Sequence, residues 1–122
     1  MKKTLPESDL HTLREEIRAF VEERDWRKFN TPKNLACALS VEAAELLEPF
    51  QWLQTGSMEE LGAEKHNQVR REIADVQIYL ISLADNLKID IKEAVLEKMT
   101  INRAKYPADI VRGSARKYTE YE

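Results

Sequence analysis

The chain has 122 residues, 34 % of them charged and 43 % hydrophobic, which fits one compact domain over residues 1–122 and excludes a disordered acidic tail. Nineteen Lys+Arg against twenty-two Asp+Glu leave a net charge of −3, which argues against a nucleic-acid polymer as partner. No run approaches the ~18 apolar residues of a membrane span, no apolar run follows the two N-terminal lysines as in a signal peptide, and the single Cys37 suits a reducing cytoplasm.

Four helices are predicted in chain order. The first runs from about Ser8 to Glu23, with Leu10, Leu13, Ile17, Phe20 and Val21 at helical spacing and Ser8 as its cap. The second starts at Thr31-Pro32, where a missing N–H costs nothing, and breaks near Pro49. Residues 54–57 read as a loop. Ser57 and Glu60 form a capping-box pattern for a short turn interrupted by Gly62, and a long third helix follows from about Ala63 to Leu87. Asp90 with Glu93 starts a fourth helix that ends near Lys105, before Pro107. The core is thus about 8–107, followed by a tail, 108–122, without apolar period. Three glycines and four prolines leave little room for β-turns. The expected fold is all-α and four-helix-bundle-like. The third helix carries apolar residues on more than one side (Val69, Ile73, Val76, Ile78, Leu80, Ile81, Leu83), so the bundle is expected to be completed by homo-oligomerisation.

Acidic pairs three residues apart are common in a charged helical protein, and a solvated helix face explains most of them. Two pairs differ in their neighbours. Glu42 lies in the row Leu35, Leu39, Glu42, Leu46, with Glu45 one turn along; Glu72 lies in the row Val69, Glu72, Val76, with Asp75 and Tyr79 beside it. Like charges set into core-facing stripes are costly unless a cation neutralises them. Two such pairs facing each other make a cage of hard oxygens, which suits Mg²⁺ and phosphate oxygens. Neither His11 nor His66 has an acid three residues before it, and zinc lacks its Cys/His set.

Trp26 and Trp52 stand at helix ends, where core lids are commoner than ligand platforms, yet both lie near the acidic pairs, as does Tyr79. A flat aromatic clamp is what a nucleobase requires. Charge is also unevenly divided: residues 1–97 carry thirteen basic and nineteen acidic side chains, while residues 98–117 carry six basic ones against Asp109 alone. A solvated helix end accounts for that excess, as does a phosphate-binding rim.

These residues together resemble a known family. Glu42-x-x-Glu45 followed by Glu72-x-x-Asp75 on the next long helix is similar to the signature of the MazG-like, all-α nucleoside triphosphate pyrophosphatases. Glu23-Arg24-Asp25-Trp26, Phe29, Pro32-x-Asn34-Leu35, Phe50-Gln51-Trp52, Asp75-Val76-x-Ile78-Tyr79-Leu80, Lys98-Met99, Asn102-Arg103-x-x-Tyr106-Pro107, Arg112-Gly113-Ser114 and Lys117-Tyr118-Thr119-Glu120 resemble its dCTP pyrophosphatase branch. The resemblance implies a MazG-type fold and hydrolysis of a nucleoside triphosphate, dCTP or modified dCTP, to the monophosphate and pyrophosphate, a nucleotide-pool house-cleaning activity. It implies Mg²⁺ held by Glu42, Glu45, Glu72 and Asp75, and a dimer or a tetramer of two dimers. By position, Trp26, Trp52 and Tyr79 match a base and sugar pocket with Asn30 at its edge, and Lys98, Asn102 and Tyr106 match the phosphate end. The chain departs at Ile17 and Asn30, where mammalian members of that branch carry histidine.

The expected chemistry is metal-assisted attack of water, with Glu42 or Glu45 as base. The rival reading is a non-catalytic helical module that senses nucleotides or docks a protein through the third helix.

Overall fold

A computed structural model describes residues 8–115. Arg116 and the Lys117–Glu120 stretch of the basic quarter lie outside the described residues. The elements are α1 (Asp9–Glu23), a 3₁₀ turn (Arg27–Phe29), α2 (Pro32–Leu47), a 3₁₀ turn (Glu48–Phe50), α3 (Met58–Asn86), α4 (Ile91–Lys105) and α5 (Ala108–Val111), with no strand among the described residues. No described helix is long and apolar enough to cross a membrane.

Each expected cap is in place. Ser8, Thr31, Ser57 and Asp90 accept the amides of His11, Asn34, Glu60 and Glu93 at 3.2, 3.2, 3.3 and 2.9 Å. Each bond satisfies an orphan donor of a first turn. The box at Ser57 differs in one detail: the Glu60 carboxylate accepts from the amides of Thr55 (3.1 Å) and Gly56 (2.9 Å), so it pins the preceding loop. Gly62, with φ 75° and ψ 169°, interrupts α3 where a break is expected; that conformation is open to glycine and strained for other residues. The tail, expected to be irregular, forms the short α5, because the Pro107 carbonyl accepts from Ile110 (3.0 Å) and Val111 (3.1 Å).

Helix ends set where the chain turns. After α1 the Trp26 amide bonds the Val21 carbonyl (3.1 Å) and the Asp25 amide the Glu22 carbonyl (3.1 Å), with Asp25 left-handed at φ 53°. This paired closure reverses the chain just before Trp26, and Asp is among the few residues that enter that region readily.

The chain divides into two compact units, Met1–Ile89 and Asp90–Glu122. In the first, α3 packs along α2 and, less extensively, along α1. Its buried apolar residues are Leu35, Ile81 and Ala84, with Pro49 buried at the kink. The second unit contains α4 and α5, and none of their residues is fully buried. Large apolar side chains stay exposed in both, including Ile73, Ile78 and Leu80 on α3 and Val95, Leu96, Met99 and Ile101 on α4.

Candidate active site

Packing of α2 on α3 brings three of the four acids to one place. Carboxylate oxygens of Glu42, Glu45 and Glu72 lie within 4.8 Å of one another, all half-buried. Asp75, one turn along α3 from Glu72, stands outside that 4.8 Å group, but its charge acts on Glu42. Helical spacing places these acids in core-facing stripes, and the structure leaves all four half-buried.

The electrostatics are those of a site short of positive charge. Burial, then the hydrogen bond and charge of Glu45, then Glu72 and the charge of Asp75, push the Glu42 carboxyl up to about 7 from its ordinary 4.5. Among the described residues, Glu42 Oε2 and Glu72 Oε2 are solvent-shielded oxygens without a hydrogen-bond partner. An unpaired buried oxygen costs about 1–3 kcal/mol, which a cation bound there would relieve. Hard carboxylate oxygens this close fit a hard divalent cation.

A cavity of about 550 Å³ lies between α1, the start of α2 and the second half of α3. Its size falls in the range of small-molecule sites. Its walls are mostly apolar. Leu13, Ile17 and Phe20 come from α1, Leu35 from α2, and Ile78, Tyr79 and Ile81 from α3; Trp26 and Asn30 belong to the segment that joins α1 to α2. Glu16, Glu23, Arg24, Gln77 and Ser82 supply its polar groups. Trp26 and Phe20 form a T-shaped pair, with centroids 5.7 Å apart and planes at 76°, while the Arg24 guanidinium sits 3.8 Å over the phenyl ring.

The cavity and the acids share two helices. Leu35 and Glu42 are seven residues apart on α2, as are Glu72 and Tyr79 on α3. At 1.5 Å rise per residue, both put the aromatic cavity roughly 10 Å from the carboxylates.

Four candidates remain. Trp52 is 87 % exposed in the turn after the Pro49 kink and does not line the cavity. In the second unit, Lys98 is exposed on α4, Asn102 is half-buried, and the exposed Tyr106 caps the helix by bonding the Asn102 carbonyl at 2.8 Å. Of the α1 wall, the sequence singled out Ile17 alone, through the family resemblance. Leu13, Ile17 and Phe20 form an apolar stripe that reads equally as core, and only packing reveals that α1 stands off from α3 and leaves space.

Comparison with known proteins gives this architecture its class. Residues 37–121 match the model of the MazG-like family. The chain is 44 % identical over 117 residues to dCTP pyrophosphatase 1 of Homo sapiens, covering 94 % of this chain and 69 % of that protein. It is 41 % identical over 120 residues to dCTP pyrophosphatase 1 of Mus musculus, with the same coverage. A pyrophosphatase of Archaeoglobus fulgidus DSM 4304 superposes with a TM-score of 0.78 at 43 % identity, covering 87 % of this chain and 99 % of that one. The chain belongs to the MazG-like family. It has that family's all-α pyrophosphatase fold and is a nucleoside triphosphate pyrophosphatase.

Proposed function

We propose that this enzyme is a Mg²⁺-dependent dCTP pyrophosphohydrolase that converts dCTP or a modified dCTP to the monophosphate and pyrophosphate. The observation that carries the reading is the shared frame of α2 and α3, which holds an aromatic cavity and a carboxylate cluster roughly 10 Å apart, the scale of a nucleoside and its phosphates. The human and mouse relatives are dCTP pyrophosphatases, which supports the substrate.

In this reading Glu42, Glu45, Glu72 and Asp75 hold Mg²⁺. When bound, the ion offsets phosphate charge and lowers the pKa of water. Glu42 or Glu45 takes the proton of the attacking water. Trp26 and Tyr79 clamp the base and sugar, and Asn30 presents an amide to the base edge. By the family resemblance Lys98, Asn102 and Tyr106 are phosphate-binding residues, and positioning of the triphosphate supplies much of the rate. Trp52, too exposed to serve the cavity of its own protomer, acts across a subunit interface.

The whole chain works as one catalytic domain in a cytoplasmic homo-oligomer, a dimer or a tetramer of two dimers. Support comes from the exposed apolar residues of α3 and α4 beside so few buried ones.

The test is pyrophosphate release from a panel of ribo- and deoxynucleoside triphosphates, with Mg²⁺ and with EDTA, alongside light-scattering mass. Release from dCTP above the other substrates, lost in EDTA, is the expected result. Equal rates across the panel would overturn the cytosine assignment, EDTA-resistant release the metal, and a monomeric mass the assembly.

A further inference from the structure

Two neighbouring residues at the end of α3 each reach an element more than fifty positions away. Asp85 accepts from Arg18 of α1 through both oxygens, Nε to Oδ2 at 2.7 Å and a terminal nitrogen to Oδ1 at 2.5 Å. Asn86 donates from Nδ2 to the Asn30 carbonyl at 2.9 Å. These two targets belong to the two segments that line the cavity opposite α3: Arg18 adjoins Ile17 on α1, and Asn30 ends the segment that carries Trp26.

Burial alone holds these segments weakly. Neither α1 nor the 3₁₀ turn after it contributes a fully buried residue. A two-pronged guanidinium–carboxylate pair fixes direction as well as distance, which a nonspecific apolar contact does not. The Asn86 amide fixes the second segment from the next position on the same helix end. The spacing of α1 and of the Trp26–Asn30 segment from α3 is therefore referred to a single point.

We propose that Asp85 and Asn86 are positioning residues that set the width of the cavity, and hence the fit of the base, by anchoring α1 through Arg18 and the Trp26 segment through the Asn30 carbonyl. The proposal rests on the reading of this cavity as the base site. Neither residue lines the cavity, so their effect passes through Ile17, Phe20 and Trp26. A cavity of altered width binds ground state and transition state equally poorly, and such a loss appears in KM with kcat preserved.

The experiment is steady-state kinetics on dCTP with Mg²⁺ for the full chain and for Asp85→Asn, Asn86→Ala, Arg18→Lys, the exchange Arg18→Asp/Asp85→Arg, and Trp26→Ala as reference. Asp85→Asn should raise KM about tenfold with kcat within about twofold, Asn86→Ala should do so to a smaller degree, and the exchange should recover most of the loss. Circular dichroism identifies any variant that loses helix; should Asp85→Asn do so, the milder Arg18→Lys and Asn86→Ala decide. Wild-type KM in Asp85→Asn and Asn86→Ala, while Trp26→Ala raises it, would overturn the anchoring role and leave the base site standing. So would parallel losses in kcat and KM without recovery in the exchange. An unchanged KM in Trp26→Ala would remove the base site itself, and the anchoring proposal with it.

Discussion

The rings of Trp26 and Phe20 meet in a T-shaped pair at a centroid distance of 5.7 Å, and the Arg24 guanidinium sits 3.8 Å over the Phe20 ring. Trp26 is 46 % exposed and lines the cavity, so much of the indole is open to a ligand. Stacking of a base on an aromatic ring contributes roughly 1–3 kcal/mol. Trp26→Ala is expected to raise KM for the preferred nucleotide by about one to two orders of magnitude with little change in kcat. Phe20→Leu, which frees the indole without removing it, should give a smaller increase. Initial-rate measurements over a range of nucleotide concentrations check both.

Glu45 belongs to the three-carboxylate group, and in the proposed mechanism its removal takes away a metal ligand and a candidate base together. Glu45→Ala should lower kcat by at least about a hundredfold. Far-UV circular dichroism should stay unchanged, because the side chain is half-buried rather than core. Activity within a few fold of wild type would take Glu45 out of the reaction.

Acid–base linkage at Glu42 predicts how the metal-free protein responds to pH. A carboxyl raised from 4.5 to about 7 in the folded state stabilises the fold at pH below 4.5, and that contribution is lost as pH rises through about 7. In EDTA, the melting temperature of wild type should therefore fall relative to that of Glu42→Gln across this window. Mg²⁺ should close the gap at neutral pH, because a nearby cation favours the ionised carboxylate and a ligand of the native state raises its stability. Thermal melts of both proteins from pH 4 to 8 check it; parallel curves in EDTA would show that Glu42 does not carry this proton.

Gly56 occupies the loop that leads into α3, with φ 74°. A β-carbon there would meet Phe50 Cδ1 at 2.6 Å and Cε1 at 2.9 Å, and Phe50 is half-buried. Gly56→Ala should cost about 1–3 kcal/mol from backbone strain and displaced packing. A urea midpoint equal to that of wild type would mean that the loop absorbs the change.

Much of this architecture is written in local sequence. Ser8, Thr31-Pro32, Ser57 and Asp90 mark helix starts because a capping side chain satisfies an amide only three residues away, a relationship independent of the rest of the fold. The acidic pairs were legible for a similar reason, since helical rows show Glu42 and Glu72 interrupting apolar stripes. Residues joined by spacing alone thus revealed themselves, and the resemblance carried by Glu42-x-x-Glu45 and Glu72-x-x-Asp75 already implied the family.

Tertiary packing decided the rest. That Glu42, Glu45 and Glu72 converge within 4.8 Å while Asp75 stands apart depends on the register of α2 against α3, which no local pattern encodes. Apolar periodicity assigns Ile17 and Phe20 to an inward face without distinguishing a filled core from a cavity wall, and the stand-off of α1 makes them walls. Nor does any pattern join Arg18 to Asp85 across sixty-seven positions. The sequence by itself determines the helices, their ends and the chemistry they carry, because those follow from neighbours along the chain. Which groups share a site is settled by the packing of one helix on another, where a shift of one residue turns a side chain by about 100°.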